Sequence, residues 1–297
     1  MSRASFLWNT DVDLGLSQLL YVVASGEKSV DPAGEDLLAK PVRRISECLL
    51  NATVDIGQFW RQLREYTLKS GNLLTSPEPA LVHAGCPELL LEGVQRRISG
   101  FLSDARYDFN EIHPRLSEQI DLRSRPLRER WETCGYGLVR MIERRFWGAN
   151  GSAESWGTGQ IQLTMIQPAR GGDGGAELSA KKVWMEAVLT DVDLHLPEVL
   201  RLTWLVTSLL MERSLASLDL SEDSREAYRL ALLILVLNVA IEFDLIRGTL
   251  PPVSHAMKIW RVGHQDKSGA LANWWDECGI GEANLVTNIP HLTTLLG

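Results

Sequence analysis

The sequence predicts an α+β fold that is mostly α-helical and contains a small antiparallel β-sheet. Over most of its 297 residues, apolar side chains recur at spacings of three and four, which is typical of amphipathic helices. Gln160–Gln167 instead alternates apolar and polar residues, and Lys182–Leu189 resembles a second strand. The GGDGG segment at Gly171–Gly175 lies between them, so a hairpin is expected. Two strands are not stable alone in water, so flanking helices must cover them.

Helix starts, stops and periodicity place the remaining elements in order. The helices are predicted over Leu14–Ala24 after Asp11 and Asp13, Pro41–Leu68 as one or two helices, Pro87–Phe109, Pro126–Trp147, Pro197–Leu215 and Ser221–Ile246. The clearest linker is Ser70–Pro79, which contains Gly, Ser and two prolines. We therefore expect an N-terminal helical segment at residues 1–75 and a main α+β domain at residues 76–297, with a hairpin sheet at 160–189 and a helical C-terminal half.

The helix from Pro197 is predicted to bury one face only. Its apolar stripe contains Leu202, Leu205, Val206, Leu209 and Leu210, and the polar residues that are expected to face outward are Glu198, Arg201, Ser208 and Glu212. His195 and Glu198 at its start suit helix capping, although exposed amides there also suit an anion.

Composition excludes some classes of protein. A net charge of −8 and a pI near 5.4 argue against a generic nucleic-acid binder, which usually carries a basic surface. Leu230–Leu237 is the longest apolar stretch, and it is too short to span a bilayer. Met1–Leu20 lacks the pattern of a secretory signal, and the four cysteines form no CxxC pair. A cytoplasmic protein with reduced thiols is therefore expected.

Several catalytic motifs are missing from the sequence. No histidine is followed four residues later by another, so HExxH does not occur. GxSxG is absent at every serine, and the Gly-Lys dipeptide of a Walker A loop never occurs. We accordingly expect neither catalytic residues nor a cofactor, and an enzyme is the less favoured interpretation.

The richest titratable cluster precedes Pro114. Asp104, Asp108 and Glu111 share a helix face, and His113 follows them. Such a set can bind a divalent cation or share a proton. The simpler interpretation is a solvated helix end whose acids pair with neighbouring arginines.

The segment from Arg106 to Trp147 contains nine arginines and seven acids, with no lysine. Arginine among aromatic residues is typical of phosphate contact, of base stacking and of protein-interface hot spots. The interspersed acids favour a salt-bridged helix face first, a protein interface second and nucleic acid third. The candidate interaction residues are Arg123, Arg128, Trp131, Arg140, Arg144 and Trp147.

The order of segments from Arg123 to Arg247 resembles the layout of zincin-type metallopeptidases of the gluzincin kind. The matching pieces are LRERWETCGYGLVRMIERRF, the strands around GGDGG, the helix from Pro197 and the helix that contains Glu242. The W-E…G-x-G-L and LPEVLRL-type segments also resemble those of certain bacterial proteins. The resemblance implies Glu242 as a third ligand. Because the two histidines and the general-base glutamate have no counterpart between Pro197 and Leu215, it implies a scaffold without hydrolase activity.

These observations favour a non-catalytic protein-interaction or assembly subunit. Its ten tryptophans exceed what a core of this size requires, and exposed aromatic residues anchor partners. Exposure of Trp8, Trp156, Trp274 or Trp275 on one surface would favour this hypothesis. The alternatives are a metal-dependent hydrolase with a site assembled from distant residues and a nucleic-acid-associated subunit.

Overall fold

The structure is a computed structural model that describes residues 5–148, 156, 159–246, 251–278 and 285–296. It confirms the mostly α-helical α+β class, since 68% of it is helical and the described strands form one four-stranded sheet. The helices are α1 Val12–Ala24, α2 Pro32–Asn51, α3 Ile56–Ser70, α4 Pro77–His83, α5 Glu88–Ile112, α6 Leu116–Trp147, α7 Glu198–Ser214, α8 Glu222–Glu242, α9 Val253–Trp260, α10 Ser268–Glu277 and α11 Ile289–Leu296. The strands are β1 Ser5–Thr10, β2 Gln160–Ile166, β3 Gly174–Glu177 and β4 Lys182–Glu186.

Local chemistry explains where the helices begin. The side chain of Asp11 accepts a hydrogen bond from the Leu14 amide at 2.8 Å and caps α1, as the sequence predicts. Pro126 does not begin a helix. It lies inside α6, which starts ten residues earlier, at Leu116. Because proline has no N–H, the Leu122 carbonyl lacks its usual donor four residues on.

The sheet is mixed, with strand order β1-β2-β4-β3. The predicted antiparallel pairing of β2 with β4 is wrong, because these two strands lie side by side and run parallel, with Leu163 opposite Val183. The short β3 accounts for this difference, since it is β3 that forms the antiparallel hairpin with β4. β1, which has no counterpart among the predicted strands, pairs in parallel with β2. The division near residue 75 stays a prediction.

The two faces of the sheet pack against different helices. The predicted apolar face of β2, formed by Ile161, Leu163 and Met165, is buried in the main core. On the opposite face, Ile166 and Trp184 form a small cluster with Leu14 of α1 and Leu68 of α3. The carboxyl ends of three parallel strands therefore lie between two layers of helices.

The helix α7 is buried on nearly all sides, which corrects the one-faced prediction. Glu198, Arg201 and Ser208 are buried, and only Glu212 of the four expected outward residues is partly exposed. The reason is that α7 contacts the sheet as well as α6 and α8. None of the described helices combines the length and hydropathy needed to cross a bilayer.

Candidate functional site

An open groove of about 620 Å³ lies between β1 and the first half of α6. It is lined by Trp8, Asn9, Thr10, Ser117, Glu118, Asp121, Leu122, Arg125 and Arg128. The hydroxyls of Thr10 and Ser117 lie 3.1 Å apart and join the two walls. Phe6 packs edge-on against Trp131 and Tyr136 further along α6, so α6 runs antiparallel to β1.

The groove meets β1 at its edge rather than at one face. The groove touches the three consecutive residues Trp8, Asn9 and Thr10, whose side chains alternate between the two faces, and it therefore reaches the backbone of the outer strand. The amides of Ser5 and Asp11 donate to Gly159 and Met165 on the β2 side. In a parallel ladder the alternate residues Phe6, Trp8 and Thr10 then direct their peptide groups away from β2. No described strand pairs with that side of β1.

Charged and aromatic side chains form the helix wall of the groove. The Arg128 guanidinium lies over the Trp8 ring, 5.4 Å from its centroid, and one of its nitrogens is 3.4 Å from Asp121. Arg125 approaches the same carboxylate at 3.7 Å. The buried Nε of Arg128 has no hydrogen-bond partner among the described residues. Asp121 thus pairs with both Arg125 and Arg128, and neither pair has the short bidentate geometry of a strong arginine–carboxylate contact.

The structure divides the candidate interaction residues. Arg128 lines the groove, whereas Arg123 is half-buried outside it, and Arg140 and Arg144 are exposed further along α6. Trp131 is 1% exposed, so it is a core residue rather than a partner anchor.

Trp147 is half-buried and packs edge-on against Phe146. Trp156, Trp274 and Trp275 are buried, so these three do not supply the exposed tryptophan surface that would have favoured an interaction protein. Trp8 is half-buried in the groove wall.

The candidate metal cluster before Pro114 is not assembled. Asp104, Asp108 and Glu111 are exposed on α5, whereas His113 turns away from them and its Nε2 lies 2.8 Å from the Asp31 carboxylate of α2. Among the described residues, no group of three or more His, Cys, Asp or Glu side chains could hold a metal ion. The imidazole therefore joins two helices instead of completing a ligand set.

A second concentration of charge lies at the carboxyl ends of β2 and β4. Asp173 accepts two hydrogen bonds from Arg170, at 2.8 and 3.1 Å, and one from Gln18 at 2.7 Å. Burial alone would raise the pKa of Asp173, but the bonds and charge of Arg170 lower it overall. Glu186 accepts from the backbone amides of Ala169 and Asp173. Its pKa is raised, because burial outweighs those bonds.

Next to Asp173 lies a buried ion pair on α7. Glu198 and Arg201 are each 2% exposed, and the carboxylate lies 3.5 Å from the guanidinium Nε. Among the described residues, neither Glu198 oxygen has a partner at hydrogen-bonding geometry, although the Val192 amide is near enough to lower the pKa of Glu198. Arg201 donates to the Ile259 carbonyl at 3.0 Å.

Burial dominates the electrostatics of this pair. It raises the pKa of Glu198 and lowers that of the Arg201 guanidinium, and their mutual attraction opposes both shifts. Perturbed ionisable groups of this kind also occur at active sites. Here the four side chains Asp173, Glu186, Glu198 and Arg201 are at most 5% exposed, so they are packed against protein rather than open to a substrate.

Spacing along the sequence does not reveal the groove or the buried pair. The groove joins residues 107 positions apart, and the charges of α7 occupy positions that suit a solvated face. The short apolar run Phe6-Leu7-Trp8 in SFLWNT was the available signal for β1.

No protein-family model, curated protein or solved structure matches this chain.

Proposed function

We propose that this chain is a non-catalytic protein-interaction subunit that binds an extended protein segment along the outer edge of β1. The observation that carries the proposal is the groove beside a strand edge whose peptide groups point outward. Addition of a strand to an exposed sheet edge is a common mode of recognition, in which backbone hydrogen bonds supply affinity and neighbouring side chains supply specificity.

The composition of β1 supports this function. Its sequence SFLWNT contains no charged residue, and Leu7 is 44% exposed. Natural edge strands are usually protected by charges, prolines or bulges, since an unprotected edge pairs with other chains. An uncharged edge beside an open groove is therefore better suited to a partner than to solvent.

The buried charges support a non-catalytic role for the carboxyl ends of β2 and β4. Asp173 connects Arg170 to Gln18 of α1, and Glu186 holds the backbone of the loop that contains Ala169. These contacts stabilise the loop that follows β2, which is a structural task. A cytoplasmic location is part of the proposal, supported by four cysteines that are all free.

Thr10 provides a pair of variants that separates the backbone from the side chain. Thr10→Pro removes one outward N–H, and edge positions of this kind tolerate proline. Thr10→Val keeps that N–H and removes only the hydroxyl that contacts Ser117. If the peptide pairs with the β1 backbone, Thr10→Pro should weaken its binding at least about tenfold, because one neutral hydrogen bond is lost and the proline ring adds a steric clash. Thr10→Val should bind nearly as well as the wild type.

The probe is a displayed library of random dodecapeptides, selected on wild-type protein immobilised at low density so that neighbouring molecules cannot fill each other's groove. Selected peptides are then titrated against both variants by fluorescence anisotropy. Circular dichroism establishes that both variants are folded. The proposal is overturned if no peptide is enriched on protein that is monomeric, or if the peptides bind Thr10→Pro as well as Thr10→Val.

A further inference from the structure

From the order of charges along the groove and the open edge of β1, we infer that the occupant of the groove is the β1 edge of a second copy of this chain. The inference rests on the proposed function of that edge and names its partner. Two copies would pair β1 with β1 in antiparallel fashion about a two-fold axis perpendicular to the sheet, which forms a continuous eight-stranded sheet.

The charges of the groove are arranged for such a pairing. Along α6, Glu118 and Asp121 come first, and Arg125 and Arg128 follow. When two α6 helices lie side by side in opposite directions, the acidic half of each meets the basic half of the other. The midpoint between positions 118 and 125 falls next to Leu122, whose side chain is 51% exposed.

Glu118 and Arg125, the two charges that flank this midpoint at equal spacing, are available for contacts with a second copy. Arg125 is 59% exposed, and within the described part of the chain its one ion pair is with Asp121, at 3.7 Å. Glu118 is exposed and forms no ion pair with any described residue. An Arg125 side chain from a second copy can therefore meet Glu118 without breaking a strong contact within either chain.

The strand and the helix give similar positions for the axis. The outward peptide groups of β1 are centred on Trp8, which is about 7 Å along the strand from Thr10. The charge pattern of α6 is centred between Asp121 and Leu122, which is about 7 Å along the helix from Ser117. Thr10 and Ser117 are in contact at 3.1 Å, and α6 runs antiparallel to β1, so both displacements point the same way. One two-fold axis can thus satisfy the backbone edge and the charges together.

The position of α6 above the sheet also permits this pairing. α6 contacts both β1 and β2, so it lies slightly inward from the edge. Strands that pair across the axis are about 4.8 Å apart, whereas packed helices need about 8–10 Å. Two α6 helices set inward in this way can lie next to each other above the joined sheet.

Charge reversal tests this arrangement by sedimentation velocity. At micromolar concentration the wild type should sediment as a species with twice the 33.2 kDa mass of one chain. Glu118→Arg and Arg125→Glu each place like charges across the axis, so each should weaken the dimer at least about tenfold. An equimolar mixture of the two variants should form a heterodimer, because each chain then supplies what the other lacks. The doubly reversed chain should dimerise again.

Glu92→Arg on α5 is the matched control, since it also reverses an exposed glutamate and should leave the dimer intact. A monomeric wild type, single variants that dimerise normally, or a mixture that stays monomeric would each overturn the inference. If peptides still bind the β1 edge of a monomeric wild type, only the dimer fails. If no peptide binds and no dimer forms, the proposed function fails with it.

Discussion

The buried pair Glu198–Arg201 should behave as a strongly coupled unit. At the observed 3.5 Å, the attraction between the two charges is about 5 kcal/mol at an effective dielectric constant of about 20. Desolvation costs several kcal/mol for each buried ion, so the intact pair is close to neutral in its net contribution. Removing only one partner leaves the other charge buried without compensation.

Arg201→Met should therefore lower the free energy of unfolding by about 3–5 kcal/mol, the usual cost of breaking a buried pair from one side. Glu198→Gln should cost less, about 1–3 kcal/mol, because the charges of Asp173 and Glu186 still favour the ionised Arg201. The double variant should cost at least about 1 kcal/mol less than the sum of the two, since no unpaired charge remains on α7.

Urea denaturation at neutral pH, followed by circular dichroism, measures all three values. The matched control is Glu92–Arg96 on α5, where the closest atoms are 2.6 Å apart but both side chains are exposed. Its cycle, Glu92→Gln and Arg96→Met, should show coupling below about 1 kcal/mol. If the buried substitutions add within about 0.5 kcal/mol, the pair is not coupled and the reasoning from burial is refuted.

Three further expectations concern packing and pH. A Cβ at Gly15 would lie 2.6 Å from the Gln167 carbonyl oxygen, so Gly15→Ala should lower the free energy of unfolding, measured in urea, by about 1–3 kcal/mol. Gly93→Ala, with open space around it, should raise the free energy of unfolding by up to about 1 kcal/mol. Equal effects would contradict the close approach of α1 to the end of β2. Because folding raises the pKa of Glu198, its contribution to stability is present below its ordinary pKa of 4.5 and is lost as pH rises. The wild type should therefore gain stability over Glu198→Gln as the pH falls from neutral towards that ordinary value. Asp173 has the opposite sign, because folding lowers its pKa, so its contribution to stability is present above the ordinary value of 3.8 and is lost as the pH falls further. Asp173→Asn should therefore flatten the curve of stability against pH below about pH 4. An unchanged slope would count against the Arg170 contact.

Local patterns predicted the parts of this fold that depend on local chemistry. The carboxylate of Asp11 and the apolar alternation of β2 each act within a few residues, and both appear as expected. The position of Pro126 was misinterpreted, because proline is typical of a first helical turn, whereas here it lies exposed inside α6 at the cost of one backbone hydrogen bond.

Contacts between distant segments explain what the sequence did not reveal. β1 is a strand because β2, some 150 positions later, supplies its hydrogen bonds. Glu198 and Arg201 occupy positions that suit a solvated face, and only the sheet and the helices around α7 bury them. The same applies to the groove, because helices α1–α5 separate its two walls, β1 and α6, in the sequence.

The two edges of the sheet explain why association should occur at β1 rather than at β3. β3 has only four residues, two of them glycine, and Glu177 at its end pairs with Lys69 of α3 at 3.6 Å. It also packs against α7, so both its length and its surroundings discourage pairing with another chain. β1 has six residues and no charge. A sheet protected at one edge and open at the other can add a strand only on the open side, which limits a self-associating chain to a closed pair instead of a fibre.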